Sequence, residues 1–238
     1  MALVTAPIAA LTPSSVTHHT AFAFGARGMT RFATAWGFPS LLLLTLAFYS
    51  MVQAGALRGE FAFDGKAPEV ALVYFPEDKS LPATLTPTLD QVEKNFTPPL
   101  VVGTKGATVT FKNSDSISHN IFADDKDTNI TFDVGLLSAG SAAAREIDWE
   151  NNVVKCSCKI HPHMRAWIAS ITSKYYKVID LDKTKSFEIP DVPAHLGVVK
   201  VWLPNYDTME LAIKGGESQD VELKKKGKAA GMVKLARK

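Results

Sequence analysis

The chain has 238 residues, 46 % of them apolar, with 26 basic and 24 acidic side chains. That is enough for one large core or two small ones, and it excludes a disordered, collagenous or disulfide-dense protein. No acid precedes Glu60, seven basic residues and no acid follow Glu222, and residues 55–222 hold 17 basic against 24 acidic side chains, a net of −7. So acidic a body argues against a nucleic-acid binder.

In chain order, residues 1–54 read as a leader. Arg31 supplies a positive start, Leu41–Tyr49 an apolar run broken only by Thr45, and Val52-Gln53-Ala54 small residues at a cleavage position. This is the layout of a secretory signal, placed at about 29–54. The apolar run is short for a membrane span, which needs ~20 residues. The expectation is export to the periplasm with no span in the mature form; an uncleaved anchor is the rival. Residues 1–28, rich in Ala, Ser and Thr, fit a stretch upstream of the true start at Met29, and then His18 and His19 carry no function. A transit peptide ahead of the signal is the alternative.

Beyond the leader, helical periodicity is almost absent. Short β-rich runs recur between turn residues: EFAF, VALVYF, LVV, ATVTF, NITF, NVVKCSC, AWIASIT, YYKVIDL, SFEI, GVVKVWL and MELAI. That spacing predicts an all-β sandwich or barrel. NSDSISHN interrupts the pattern after Lys112 with turn formers, so His119 falls where a loop enters the next strand. In VVKCSC, period-2 alternation puts Val154, Cys156 and Cys158 on one face. Lys155 and Ser157 mark the wet face, so both cysteines are expected inside. They are the chain's only cysteines, and so tight a loop would strain a disulfide between them. Residues 224–238 (KKKGKAAGMVKLARK) read as a basic, solvated, frayed tail.

CSCKIHPHM, residues 156–164, concentrates the chemistry. Cys158, His161 and Met164 follow one another at three-residue spacing, with His119 39 residues upstream. A thiolate, two imidazoles and a thioether form the soft mixed set suited to copper electron transfer. Zinc would want four firm ligands, and a thioether is a poor one. Each residue alone has a plainer reading: a core thiol, a packing methionine, a loop-capping histidine. The joint spacing at a strand end, with export, favours one copper ion cycling between Cu(I) and Cu(II).

CKIHPHMR closely resembles the ligand loop of amicyanin-type blue copper proteins of the cupredoxin family. SHNIF, residues 118–122, resembles the amicyanin and plastocyanin segment with the first histidine, and residues 89–115 look like the opening strands of that fold. The resemblance spans roughly residues 82–173. It implies that His119, Cys158, His161 and Met164 are the copper ligands and that Asn120 braces the ligand loop. It also implies a solvent-edge role for His161, with Pro162 and Met164 helping to form an apolar docking rim. Two positions depart from the pattern. Cys156 stands where the family usually has an aromatic residue, and is expected to fill the core under the site. His163, between the loop proline and Met164, is expected to face solvent at the rim with Pro162.

Residues 175–204 resemble the second half of a carboxypeptidase-regulatory-like β-sandwich, and residues 59–75 its first half, although the tyrosine usual in its Pro-Pro-Gly-x-Tyr turn is missing. The expected organisation is therefore a Greek-key cupredoxin sandwich at 82–173, inserted into a small regulatory-like sandwich at 57–79 plus 174–223. The resemblance extends to exported bacterial cupredoxins of the methylamine-utilisation type. It implies an electron carrier rather than an enzyme, serving a transient redox protein partner such as a dehydrogenase or cytochrome. A copper storage or delivery protein is the alternative.

Overall fold

A computed structural model describes residues 55–238. The leader, with its signal and upstream stretch, lies outside the described residues. Among the described residues the fold is all-β, and no helix is long and apolar enough to cross a membrane. Its strands are β1 (Gly55–Phe63), β2 (Val70–Tyr74), β3 (Thr88–Val92), β4 (Asn95–Thr97), β5 (Leu100–Gly103), β6 (Thr108–Asn113), β7 (His119–Asp125), β8 (Ile130–Leu137) and β9 (Ala142–Glu146). They continue with β10 (Val153–Ser157), β11 (Arg165–Ser170), β12 (Tyr176–Asp180), β13 (Ser186–Val192), β14 (Val198–Trp202), β15 (Met209–Ala212), β16 (Ser218–Lys225) and β17 (Lys228–Arg237).

Four sheets form. Sheet I runs β13-β1-β17-β16, sheet II β12-β2-β14-β15, sheet III β5-β11-β10-β7-β8 and sheet IV β4-β3-β6-β9. Sheets I and II enclose one core around Phe61, Phe75, Val201 and Leu235. Sheets III and IV enclose a second around Phe111, Ile121, Val154 and Ile168. A third apolar layer, with Leu72, Tyr74, Trp167 and Ile171, joins sheet II to sheet III. β3–β11 thus sit, in sequence, between β2 and β12 of the other sandwich.

This layering explains why two runs lack alternation. VALVY is buried at all five positions of β2, and RAWIAS is buried at every position after Arg165 in β11. Each strand lies in a sheet covered on both faces, so both side-chain sets must be apolar. It also places the second face of β10. Val153, Lys155 and Ser157 line a cleft of about 660 Å³ between sheets II and III, with Lys155 exposed, as its place on the wet face predicts, and the other two half-buried.

Residues 224–238 differ from the expected frayed tail. Lys228–Arg237 is β17, paired with β1 on one side and β16 on the other. Val233 and Leu235 are buried in the core of the first sandwich. Arg237 is only 8 % exposed, and its guanidinium donates to the carbonyls of Val192, Pro193 and Leu196. Gly231 permits the crossing of β1: its φ is +145°, and a Cβ there would meet the Ala62 carbonyl oxygen at 2.3 Å.

Candidate metal centre

Three segments converge at one end of sheets III and IV. The loop after β6 turns on Asn113, whose side-chain amide donates to the carbonyls of Ile117 and Leu137. This delivers His119 as the first residue of β7, fully buried. β10 ends at Ser157, leaving Cys158 at the mouth of the next loop, 1 % exposed. The loop back to β11 is closed by two backbone bonds: Met164 N–H to His161 O at 2.9 Å and Cys158 N–H to Met164 O at 3.4 Å. Pro162 lies in this short turn and needs no N–H partner there.

The donor atoms of His119, Cys158 and His161 all lie within 4.8 Å of one another. The His119 and His161 Nδ1 atoms face each other at 3.0 Å, and their ring centroids are 4.8 Å apart. Met164 is 1 % exposed in the same core cluster as Cys158. A buried thiol and two facing imidazole nitrogens, backed by a thioether, fit a soft, late first-row metal. His161 is half-buried. Partial desolvation first, with the nearby Lys94 charge adding to it, lowers its pKa and favours the neutral imidazole that metal binding requires.

Asn120 ties the site together. Its backbone N–H reaches the Cys158 sulfur at 3.5 Å, a long contact aimed at the thiol. Its side-chain oxygen accepts from Lys159 N–H at 3.3 Å, and its amide donates to Asp133 Oδ1 at 2.7 Å and to the Gly135 carbonyl at 3.1 Å. The side chain therefore bridges β7, β8 and the ligand loop.

The other positions divide as follows. Cys156 is fully buried between sheets III and IV, opposite Ala166 in the β10–β11 ladder. Burial pushes its thiol pKa well above the ordinary range, so it stays protonated. It remains a core thiol outside the His-Cys-His group, and both cysteines are free. Pro162 and His163 are exposed. His163 is more than a rim residue, because its Nε2 donates to the Lys94 carbonyl at 3.1 Å.

One residue escaped the sequence reading. Asp115 Oδ2 lies 2.9 Å from His119 Nε2 and also accepts the Lys94 N–H at 2.8 Å. The bond from His119 first, and that from Lys94 next, hold its carboxyl below the usual carboxylate range. Its only signal was an acid four residues before the histidine, in a turn where aspartate is already favoured.

No protein-family model matches the chain, and no curated protein matches it significantly. Solved structures give partial likenesses. The purple cupredoxin from Nitrosopumilus maritimus is 22 % identical, with a TM-score of 0.32, over 35 % of this chain and 98 % of that one. The copper-containing nitrite reductase from Thermus scotoductus SA-01 is 24 % identical, with a TM-score of 0.33, over 35 % of this chain and only 22 % of that one. A mutant of amicyanin in its Cu(I) form is 15 % identical, with a TM-score of 0.33, over 43 % of this chain and 98 % of that one. Likenesses this slight carry no assignment.

Proposed function

We propose that the chain is an exported, mononuclear blue copper protein of the cupredoxin kind that carries single electrons between protein partners. The observation that carries this reading is the donor set itself: His119, Cys158 and His161 meet within 4.8 Å, with Met164 buried in the same core cluster. Copper held there supplies a one-electron Cu(I)/Cu(II) couple. The chain's residues hold the donors still, since His119, Cys158 and Met164 are almost fully buried and Asn120 clamps the loop. A site that changes shape little on gaining an electron suits transfer. His161, the donor nearest solvent, is the edge through which electrons pass. The leader accounts for export to the periplasm, and no nucleic acid or membrane span enters the reading.

A docking face supports it. Among the described residues five large apolar side chains are exposed, and four of them (Val92, Ile117, Leu136 and Ile160) lie in segments that frame the site. Leu136 is 63 % exposed and stands opposite Asn120 in the β7–β8 ladder. With Pro162 they offer the small, mostly apolar patch suited to a brief redox encounter. The partner would be a dehydrogenase or cytochrome. Leu136→Lys should leave the copper spectrum unchanged and slow electron self-exchange between copies by about tenfold, through like-charge repulsion at the contact. NMR line broadening in mixtures of reduced and oxidised protein measures this.

The alternative, copper storage or delivery, wants open and exchangeable donors. Voltammetry with a competing Cu(I) chelator separates the two. A carrier shows a reversible one-electron wave and keeps its copper in both redox states. Prompt loss of copper to the chelator on reduction would favour delivery.

A further inference from the structure

The hairpin between β3 and β4 turns on Glu93 and Lys94, both left-handed, with φ of 50° and 58°. Such a pair is characteristic of a tight two-residue hairpin turn. The turn belongs to sheet IV, whereas His119 and the ligand loop belong to sheet III. Even so, the Lys94 backbone bonds towards both. Its N–H donates to Asp115, which also accepts from His119. Its carbonyl accepts from His163, next to Met164 in the ligand loop. Asp115 is well placed to hold this arrangement: its side chain is 15 % exposed, Ser116 N–H donates to Oδ1, and Asp115 N–H donates to Asn113 Oδ1. The carboxylate cannot rotate away without losing several partners.

We propose that Asp115, seated on the Lys94 backbone, is a positioning residue that fixes His119 as its Nε2–H tautomer and, through His163, ties the two ligand-bearing segments together before metal arrives. The chemistry is direct. An ionised carboxylate only accepts hydrogen bonds, so the ring nitrogen facing it must carry the proton. The neutral ring then has its lone pair on Nδ1, and that atom faces His161 Nδ1 at 3.0 Å. The metal-free protein closes this gap with the His161 Nδ1 proton, which a metal replaces. A carboxylate behind a ligating histidine typically changes metal affinity by about 10- to 100-fold.

This inference rests on the copper reading, but one arm of its test needs no copper. Long-range proton–nitrogen NMR on the metal-free protein should show His119 protonated at Nε2 alone. In Asp115→Ala the tautomers should mix, and Cu(II) affinity should fall by about 10- to 100-fold. Asp115→Asn keeps a carbonyl oxygen for the ring N–H and should restore the tautomer and most of the affinity. Should the alanine variant fail to fold, the wild-type tautomer and the asparagine variant still decide. Lys94→Gly should leave the His119 tautomer unchanged, because the Lys94 bonds to Asp115 and His163 use backbone atoms only. The proposal is overturned by a wild-type His119 protonated at Nδ1, or by an alanine variant that keeps both a single tautomer and wild-type affinity. If the wild type binds no copper, the functional reading fails and the tautomer comparison still stands.

Discussion

Cys158→Ser should abolish the coloured copper site, and Cys156→Ala should leave it intact. Cys158 supplies the only thiol in the donor group, and a serine hydroxyl is a far poorer partner for copper at neutral pH. The loss should exceed the roughly 10- to 100-fold expected for a residue that only supports a ligand. Cys156 is one strand step deeper, fully buried and held protonated by burial. Its truncation should cost about 1 kcal/mol of stability through a small void without moving the visible band. Optical spectra of the two variants, each with one equivalent of Cu(II), check this. Colour lost with Cys156 would reassign the thiolate.

Truncation after Lys225 should prevent the first sandwich from folding. The deleted segment contains β17, the central strand that pairs with both β1 and β16. Its loss exposes two ladders of backbone groups and the core behind Val233 and Leu235, whose burial contributes about 1.5–3 kcal/mol each. It also removes the Arg237 bonds to the buried carbonyls of Val192 and Leu196 and the part-buried one of Pro193, and hydrogen bonds to charged groups contribute about 1.5–3 kcal/mol. Together these approach the whole stability of a typical domain, about 5–15 kcal/mol. Arg237→Ala alone should lower stability by about 2 kcal/mol, read from denaturant midpoints. Wild-type stability of the truncated chain would mean that the segment is the frayed tail its charge suggests.

That segment shows where the sequence was opaque. In β17 the inward set is Gly231, Val233, Leu235 and Arg237, and the outward set includes Met232, Lys234 and Ala236. Glycine and arginine on the inner face hide the period-2 signal, and the lysines dominate a reading by charge. The runs rich in Val, Ile and aromatic residues were legible because both their composition and their spacing speak for strands. β9, AAARE, was missed for the opposite reason: half-buried Ala143 and Arg145 alternate with exposed Ala142, Ala144 and Glu146, a set that carries little β signal.

The candidate site was more legible than the sandwich around it. Cys158, His161 and Met164 share one short loop, so their nearness follows from chain geometry alone. His119 depended on strand pairing that the sequence only suggested: Ser157 pairs with Phe122 in the β10–β7 ladder, which brings the two ends together. Asp115 could not be read at all. Its role depends on the Lys94 turn, 21 residues away and in the other sheet, and no local pattern announces such a contact. His163 was legible as exposed but not as a partner of that turn.

The central claim is that His119, Cys158 and His161 gather one copper ion as a thiolate site. Titrating the purified protein with Cu(II) under non-oxidising conditions tests it directly. The account predicts an intense thiolate-to-copper band in the visible that saturates at one equivalent. With both thiols verified as free, the absence of any such band would contradict it.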